Sequence, residues 1–302
     1  MTEPAVEQGR CPLCRSPKET RVWVEPCEDT PPVQAKPDGY NISDTTAKNG
    51  GMAVQYCAGC GFGWNNDPRA AQRLEKEYSS YTEQREYLFE GRNRIGTALR
   101  ILSAIAPGSK LRPGTRLLDI GASVGYYTKA AGLLGYDAIG VEPSPWAAEY
   151  GSKNLGVNII AKSFFDCAFD ASSFDVVLLA DVLEHTTMYR SMLESALACL
   201  KPAGVLVIVT PDIDSLAARW LGRRWWSLKP EHVVYFSKRS LTRVLTELGC
   251  GDIKIGTVGR TFSLPYWLYL LTGRGSLLKD SLLRKLPFYF NFADQMLCLC
   301  VK

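Results

Sequence analysis

The stretch "LLDIGASVGYYTKAAGLLG", residues 117–135, constrains the fold more than any other part of the chain. An apolar run closes on Asp119, a small-residue turn follows, and an amphipathic segment begins at once. This is a strand, a turn and a helix. Amides at a helix N-terminus have no intrahelical partner, and a turn without side-chain bulk lets a ligand lie against them. Gly121 and Gly125 flank Ser123 in that turn. A second strand, "AIGVE", ends in Glu142 about 20 residues further on, the distance at which an acid meets the two hydroxyls of a ribose. The combination implies a nucleoside site at the carboxyl edge of a parallel sheet.

From residue 115 onward short apolar strands alternate with helical stretches. The strands are "TRLLDIG", "GYDAIGVE", "GVNIIA", "FDVVLLA", "GVLVIVT", "GDIKIGTV" and "QMLCLCVK". Strands this apolar belong to a sheet covered on both faces, so the fold class is α/β with a seven-stranded, mostly parallel sheet. Helices are expected near 124–134, 145–154, 188–200 and 238–249. The last strand follows an irregular segment rather than a helical crossover, which suits an antiparallel direction. Residues 68–107 have helical spacing, with Leu88, Ile95, Leu99, Leu102 and Ile105 on one face. The expected organisation is a small cysteine-bearing domain over 1–67 with a loop insertion, a helical connector over 68–114, and the α/β domain over 115–302, interrupted by an apolar insertion at 259–294.

The N-terminal zone contains "RCPLCR" and "YCAGCGFGW", two Cys-x-x-Cys knuckles at Cys11/Cys14 and Cys57/Cys60. Each knuckle turns two thiolates toward one ion, and two of them complete a tetrahedral zinc site. Four closed ligands imply a structural zinc ribbon, whose metal supplies the folding energy that so small a segment cannot bury. A redox dithiol and a nucleic-acid-reading ribbon are the competing readings. Cys27 lacks a partner at the required spacing, and Cys167, Cys199, Cys250, Cys298 and Cys300 lie in or beside apolar segments as small buried side chains. The start "MTEPAVEQGR" has no basic, apolar secretory signature, and "FSLPYWLYLL" (262–271) is half the length of a span, so a cytoplasmic protein without a membrane span is expected. A net charge of +4 admits an anionic small-molecule partner and does not call for nucleic acid.

A dinucleotide enzyme would show Gly-x-Gly-x-x-Gly, whereas this turn reads Gly121-Ala122-Ser123-Val124-Gly125 behind Asp119. With "VVLLADVLEHTT", "LKPAGVLVIVTPD" and "PEHVVYFSKRSLTRVLTELG", the chain resembles the class I S-adenosylmethionine-dependent methyltransferases, a Rossmann-like fold, over most of residues 115–250. The resemblance implies that Asp119, Gly121, Ser123 and Gly125 line the methionine and ribose part of S-adenosylmethionine. It places Glu142 on the ribose hydroxyls, Asp166 on the adenine amino group and Phe165 beside the ring. Ser123 departs from the family's middle glycine.

Methyl transfer needs an aligned nucleophile and, for a hydroxyl or carbon acid, a base; histidine is tuned for that near neutrality. The chain has two histidines, His185 in "DVLEHTT" and His232 in "KPEHVVYFS", both on loops of the carboxyl edge. The knuckles, "KEYSSYTEQ" and "PEHVVYFS" resemble deoxysugar C-methyltransferases. That likeness implies His232 as general base, Glu231 as its orienter, His185 assisting, and Tyr81 or Tyr78 near the acceptor. The segment Asp181-x-x-Glu184-His185 with His232 also resembles metal-assisted O-methyltransferases of the ubiquinone pathway and of small-RNA ends, which implies Mg²⁺ holding a vicinal diol. "RWLGRRWW" (219–226) reads as a diphosphate-binding lid or as tryptophans packed on the core. The insertion "FSLPYWLYLLTGRGSLLKDSLLRKLPFYF" reads as an acceptor-pocket wall, a dimer surface or a peripheral membrane element over 262–290. The expected function is methyl transfer to a hydroxyl or carbon of a sugar-like or natural-product small molecule. A rival from another class is a non-catalytic binding protein that senses S-adenosylmethionine.

Overall fold

A computed structural model of the 302-residue chain describes residues 10–17, 20–24, 53–66, 85–105, 114–266 and 286–302. The ribbon strands are β1 (Thr20–Val24), β2 (Val54–Cys57) and β3 (Gly63–Asn65). The large sheet is built from β4 (Arg116–Ile120), β5 (Asp137–Glu142), β6 (Ile159–Ala161), β7 (Phe174–Ala180), β8 (Leu200–Pro211), β10 (Gly251–Thr257) and β13 (Gln295–Val301). Its order is β10-β13-β8-β7-β4-β5-β6. Strands β4, β5, β6, β7 and β8 are parallel, and β13 lies antiparallel between β8 and β10, in register from Gln295 opposite Pro211 to Val301 opposite Val205. All seven strands expected from the sequence are present, with the last one reversed.

The apolar runs are explained by burial on two sides. On one face Leu117, Val176, Leu178, Val207 and Val209 pack against helices Gly91–Ile105 and Tyr126–Leu133. On the other, Leu118, Ile120, Val177, Leu179, Leu206 and Ile208 pack against helices Tyr189–Cys199 and Lys238–Glu247. Successive residues of one strand therefore serve opposite cores. Helix starts follow from capping. Ser144 accepts from the Ala147 amide with Pro145 at the first helical position, and Ser237 forms a reciprocal capping box with Ser240. The helical expectation over 68–107 is met over Arg85–Phe89 and Gly91–Ile105; its remainder lies outside the described residues.

Two features were not expected. Strand β9 (Val234–Tyr235), which follows His232, is the fourth strand of the ribbon sheet, in the order β1-β2-β3-β9. The 259–294 segment begins and ends as a hairpin of β11 (Arg260–Ser263) and β12 (Pro287–Phe290). That hairpin is tied to the connector, because Glu90 accepts from the Ser263 amide at 3.0 Å and from its hydroxyl at 2.6 Å. Among the described residues no helix is long and apolar enough to cross a membrane.

Candidate active site

The turn after β4 is shaped by backbone conformations that L side chains rarely adopt. Gly121, Ser123 and Gly125 have φ of 70°, 49° and 87°. A Cβ at Gly121 would sit 2.6 Å from Val182 Cγ2, and one at Gly125 would sit 2.7 Å from Val157 Cγ2. The glycines thus provide both the left-handed geometry and the clearance. Ser123 tolerates the left-handed region because its amide donates to Glu142 Oε2 at 2.9 Å; the Ser144 amide donates to the other oxygen at 2.9 Å. Glu142 is buried and locks the first strand's turn to the end of the second. Asp119, also buried, accepts from Thr128 Oγ1 at 2.7 Å, and burial pushes its carboxyl up to about 7. Phe165 and Asp166 lie in a short turn (Phe164–Asp166) after β6, both exposed, at the same sheet edge. The bulk-free cradle and the two acids fit a cationic nucleoside cofactor.

Beyond β7 the chain turns sharply at Asp181, φ 56°. Its carboxylate meets the Arg260 guanidinium at 2.9 Å. Glu184 is buried: Oε2 accepts from Thr210 Oγ1 at 3.0 Å, while Oε1 meets no hydrogen-bond partner among the described residues. The rings of His185 and His232 meet edge to face with centroids 4.7 Å apart. His232 is 4% exposed, and its Nδ1 has no hydrogen-bond partner among the described residues. Burial, then the neighbouring His185, holds His232 well below the ordinary imidazole range; burial lowers His185 as well. Burial pushes Glu184 up to about 8, with Asp181 adding to the effect.

One ligand atom each from Glu184, His185 and His232 lies within 4.8 Å of the other two. Asp181 is not in this cluster, since its carboxylate is committed to Arg260. The Glu231 side chain has a buried Oε2 with no hydrogen-bond partner among the described residues, and its carboxylate opposes the lowering of His185. One carboxylate with two imidazoles is a nitrogen-rich set, poorly matched to Mg²⁺, which favours an octahedron of oxygens. Tyr78 and Tyr81 lie outside the described residues. Sequence reasoning passed over Arg260 and Thr210; the signal for both was position, Thr210 at the carboxyl end of β8 and Arg260 at the start of β11, just after β10.

The tryptophans of "RWLGRRWW" have different surroundings. Trp225 is wholly buried with Val54, Tyr56, Ile213 and Tyr235, and Trp226 packs on Phe292 and donates to Asp294 at 2.6 Å. Trp220 is 87% exposed, and Arg219 pairs with Asp214.

In the ribbon the four knuckle sulfurs converge. Cys11 and Cys60 Sγ are 3.5 Å apart, Cys14 and Cys57 Sγ 3.6 Å, and the four lie within 4.8 Å of one another. Tetrahedral zinc with Zn–S bonds of ~2.3 Å needs sulfurs ~3.8 Å apart, so the donor set fits. The Cys60 thiol, by hydrogen bonding, brings Cys11 down to about 5, while burial raises Cys57 and the bond to Cys11 raises Cys60, so binding of a cation would have to displace protons from the other thiols.

A methyltransferase-domain family matches residues 81–255, more than half of the chain. The chain belongs to this methyltransferase family. An uncharacterized protein of Methanocaldococcus jannaschii is 27% identical over 60% of this chain and 81% of its own length. A ubiquinone biosynthesis O-methyltransferase of Cereibacter sphaeroides is 31% identical over 39% of this chain and 52% of that enzyme. The methyltransferase thus spans about half the length of that relative. Among solved structures, an S-adenosylmethionine-dependent methyltransferase from Archaeoglobus fulgidus superposes with a TM-score of 0.52 at 17% identity, covering 72% of this chain and all of that one. A Thermotoga maritima S-adenosylmethionine-dependent methyltransferase gives 0.50 at 20% identity over 78% of this chain and 99% of its own. The enzyme has the fold of S-adenosylmethionine-dependent methyltransferases.

Proposed function

We propose that the enzyme transfers the methyl of S-adenosylmethionine to a hydroxyl or carbon of a sugar-like or natural-product small molecule, with His232 as general base. The observation that carries this reading is the buried His232, whose Nδ1 has no hydrogen-bond partner among the described residues, set against His185 and Glu184 on the carboxyl edge. A buried polar atom left unsatisfied costs about 1–3 kcal/mol, a cost that a substrate hydroxyl reaching Nδ1 removes. Asp119, Gly121, Ser123, Gly125 and Glu142 hold and orient the cofactor, with Phe165 and Asp166 at its adenine end. Bound S-adenosylmethionine supplies an electrophilic methyl on a sulfonium. His232 takes the acceptor proton at Nδ1, with His185 assisting across the shared edge and Glu231 steadying the His185–His232 loop. The relatives named as ubiquinone biosynthesis O-methyltransferases favour an oxygen acceptor. Structural zinc at Cys11, Cys14, Cys57 and Cys60 belongs to the same proposal, as does the division into ribbon, connector and α/β domain.

The convergence of Glu184, His185 and His232 favours a second reading, in which these three residues hold a divalent cation against a vicinal diol. Acceptors are screened by mass shift in the presence of S-adenosylmethionine. With an acceptor in hand, His232→Gln should lower kcat at least about 100-fold, the usual scale of a lost general base, with S-adenosylhomocysteine affinity unchanged. Unchanged turnover refutes the base. A chelator that stops turnover while the cysteine-bound zinc stays in place, reversed by an added divalent metal, selects the second reading.

A further inference from the structure

The segment that carries His232 is held from two sides by main-chain bonds. Val233 donates its amide to the Glu184 carbonyl at 2.8 Å and accepts from the Asn65 amide at 2.9 Å. Gly63 and Trp64 then pair with Tyr235 and Val234. The residue after His232 therefore links the Glu184–His185 turn to the third ribbon strand. The second knuckle reaches the same region directly. Ala58, between Cys57 and Cys60, accepts from Arg239 Nη2 at 2.7 Å, and the Gly61 carbonyl accepts from Ser240 Oγ at 3.3 Å. Gly61 approaches so closely that a Cβ would lie 2.2 Å from Ser237 Oγ. Phe62, one residue on, is fully buried against Phe236 and Tyr189, with ring centroids 5.3 and 5.4 Å away. None of these contacts touches the turn at 119–125.

We propose that the cysteine ribbon is the positioning element of the acceptor-side histidine: strand Gly63–Asn65, fixed by its knuckle, sets where His232 stands, while the turn at 119–125 takes none of these bonds although ribbon and sheet share one apolar core. The β9 segment is two residues long and is not a strand of the large sheet. Its far end is tied just past the end of β8, where Phe236 bridges Asp212 and accepts from the Ile213 amide at 2.9 Å, so its near end, next to His232, depends on the ribbon strand and the Glu184 turn. Asn65 and Val233 are positioning residues in this scheme. A metal on Cys57 and Cys60 fixes the knuckle from which β3 departs, which makes metal occupancy a control on acceptor-side geometry. The consequence for catalysis rests on the reading of His232 as base; the positional claim does not.

The test uses the full chain with histidine labelled at ¹³Cε1, which gives two ring signals, assigned with His185→Gln. Asn65→Pro removes the single amide that reaches Val233, with Asn65→Ala as the control that keeps it. In Asn65→Pro the His232 signal should leave its buried position toward that of an exposed ring. The S-adenosylhomocysteine dissociation constant should stay within about threefold and the zinc content unchanged. Stripping metal from the cysteines should shift the same signal, and restoring zinc should return it. An unmoved His232 signal in Asn65→Pro overturns the proposal. So does loss of S-adenosylhomocysteine binding together with that signal in both experiments, because the ribbon would then support the whole fold. If the signal moves as expected yet His232→Gln keeps turnover, the base assignment fails and the positioning claim stands.

Discussion

Gly121→Ala tests the junction between the two halves of the site. The residue has φ of 70°, where an L side chain costs about 1–2 kcal/mol. The added methyl would stand 2.6 Å from Val182 Cγ2 and 3.4 Å from its Cγ1. Val182 is β-branched and stiff at χ1, so relief requires backbone movement, and overpacking of this kind costs about 1–3 kcal/mol. The sum is roughly 2–5 kcal/mol. At ~2 °C per kcal/mol for a chain of this size, Tm should fall by roughly 4–10 °C in differential scanning calorimetry. Val182 lies between Asp181 and Glu184, so the strain spreads to the acid–histidine turn as well as to the cofactor cradle. Titration calorimetry should show weaker S-adenosylhomocysteine binding in the same variant. An unchanged Tm with unchanged affinity would refute the close approach of these two turns.

Asp119→Asn addresses pH. The folded-state carboxyl sits at about 7 against an ordinary 3.8, so the native state holds the proton longer than the unfolded chain. The group's contribution is complete below 3.8 and is lost as pH rises through about 7, a change of roughly 4 kcal/mol. Urea unfolding of the ligand-free enzyme between about pH 5 and about pH 8 should show a falling stability that flattens in the variant, and an identical slope would disprove the burial effect. Trp225→Ala empties a wholly buried site lined by ribbon residues Val54 and Tyr56 and by Tyr235 of β9. A loss of about 3–5 kcal/mol by chemical denaturation is expected, and a loss under about 1 kcal/mol would mean the tryptophan does not join these segments.

The large sheet was legible because burial on both faces writes itself into each strand: neighbours such as Leu117 and Leu118 are both apolar although they serve opposite cores. The turn after β4 was legible as a turn because its glycines are required by conformation and clearance, which leave a fixed spacing behind. The cysteine set could be read from the same kind of local rule. The partnership of Asp181 with Arg260 could not, since the two are 79 positions apart and nothing local to either names the other. Strand β9 is two residues long and pairs with a distant segment, so it has no periodicity to detect. The three tryptophans of "RWLGRRWW" share one composition signal and yet one is exposed and one is wholly enclosed, a distinction set by the neighbours that arrive from elsewhere in the chain.

The ribbon sheet also has a history during synthesis. Its strands β1, β2 and β3 leave the ribosome early, but the strand that completes the sheet follows about 170 residues later, roughly 8–35 s at ~5–20 residues per second. Throughout that interval the free side of Gly63–Asn65 is an unpaired edge, with Phe62 beside it still waiting for Phe236. Such an edge is a template for pairing with another chain. The nascent enzyme is therefore most prone to aggregate before residue 236 emerges, and chaperone demand should concentrate on that interval rather than on the finished protein.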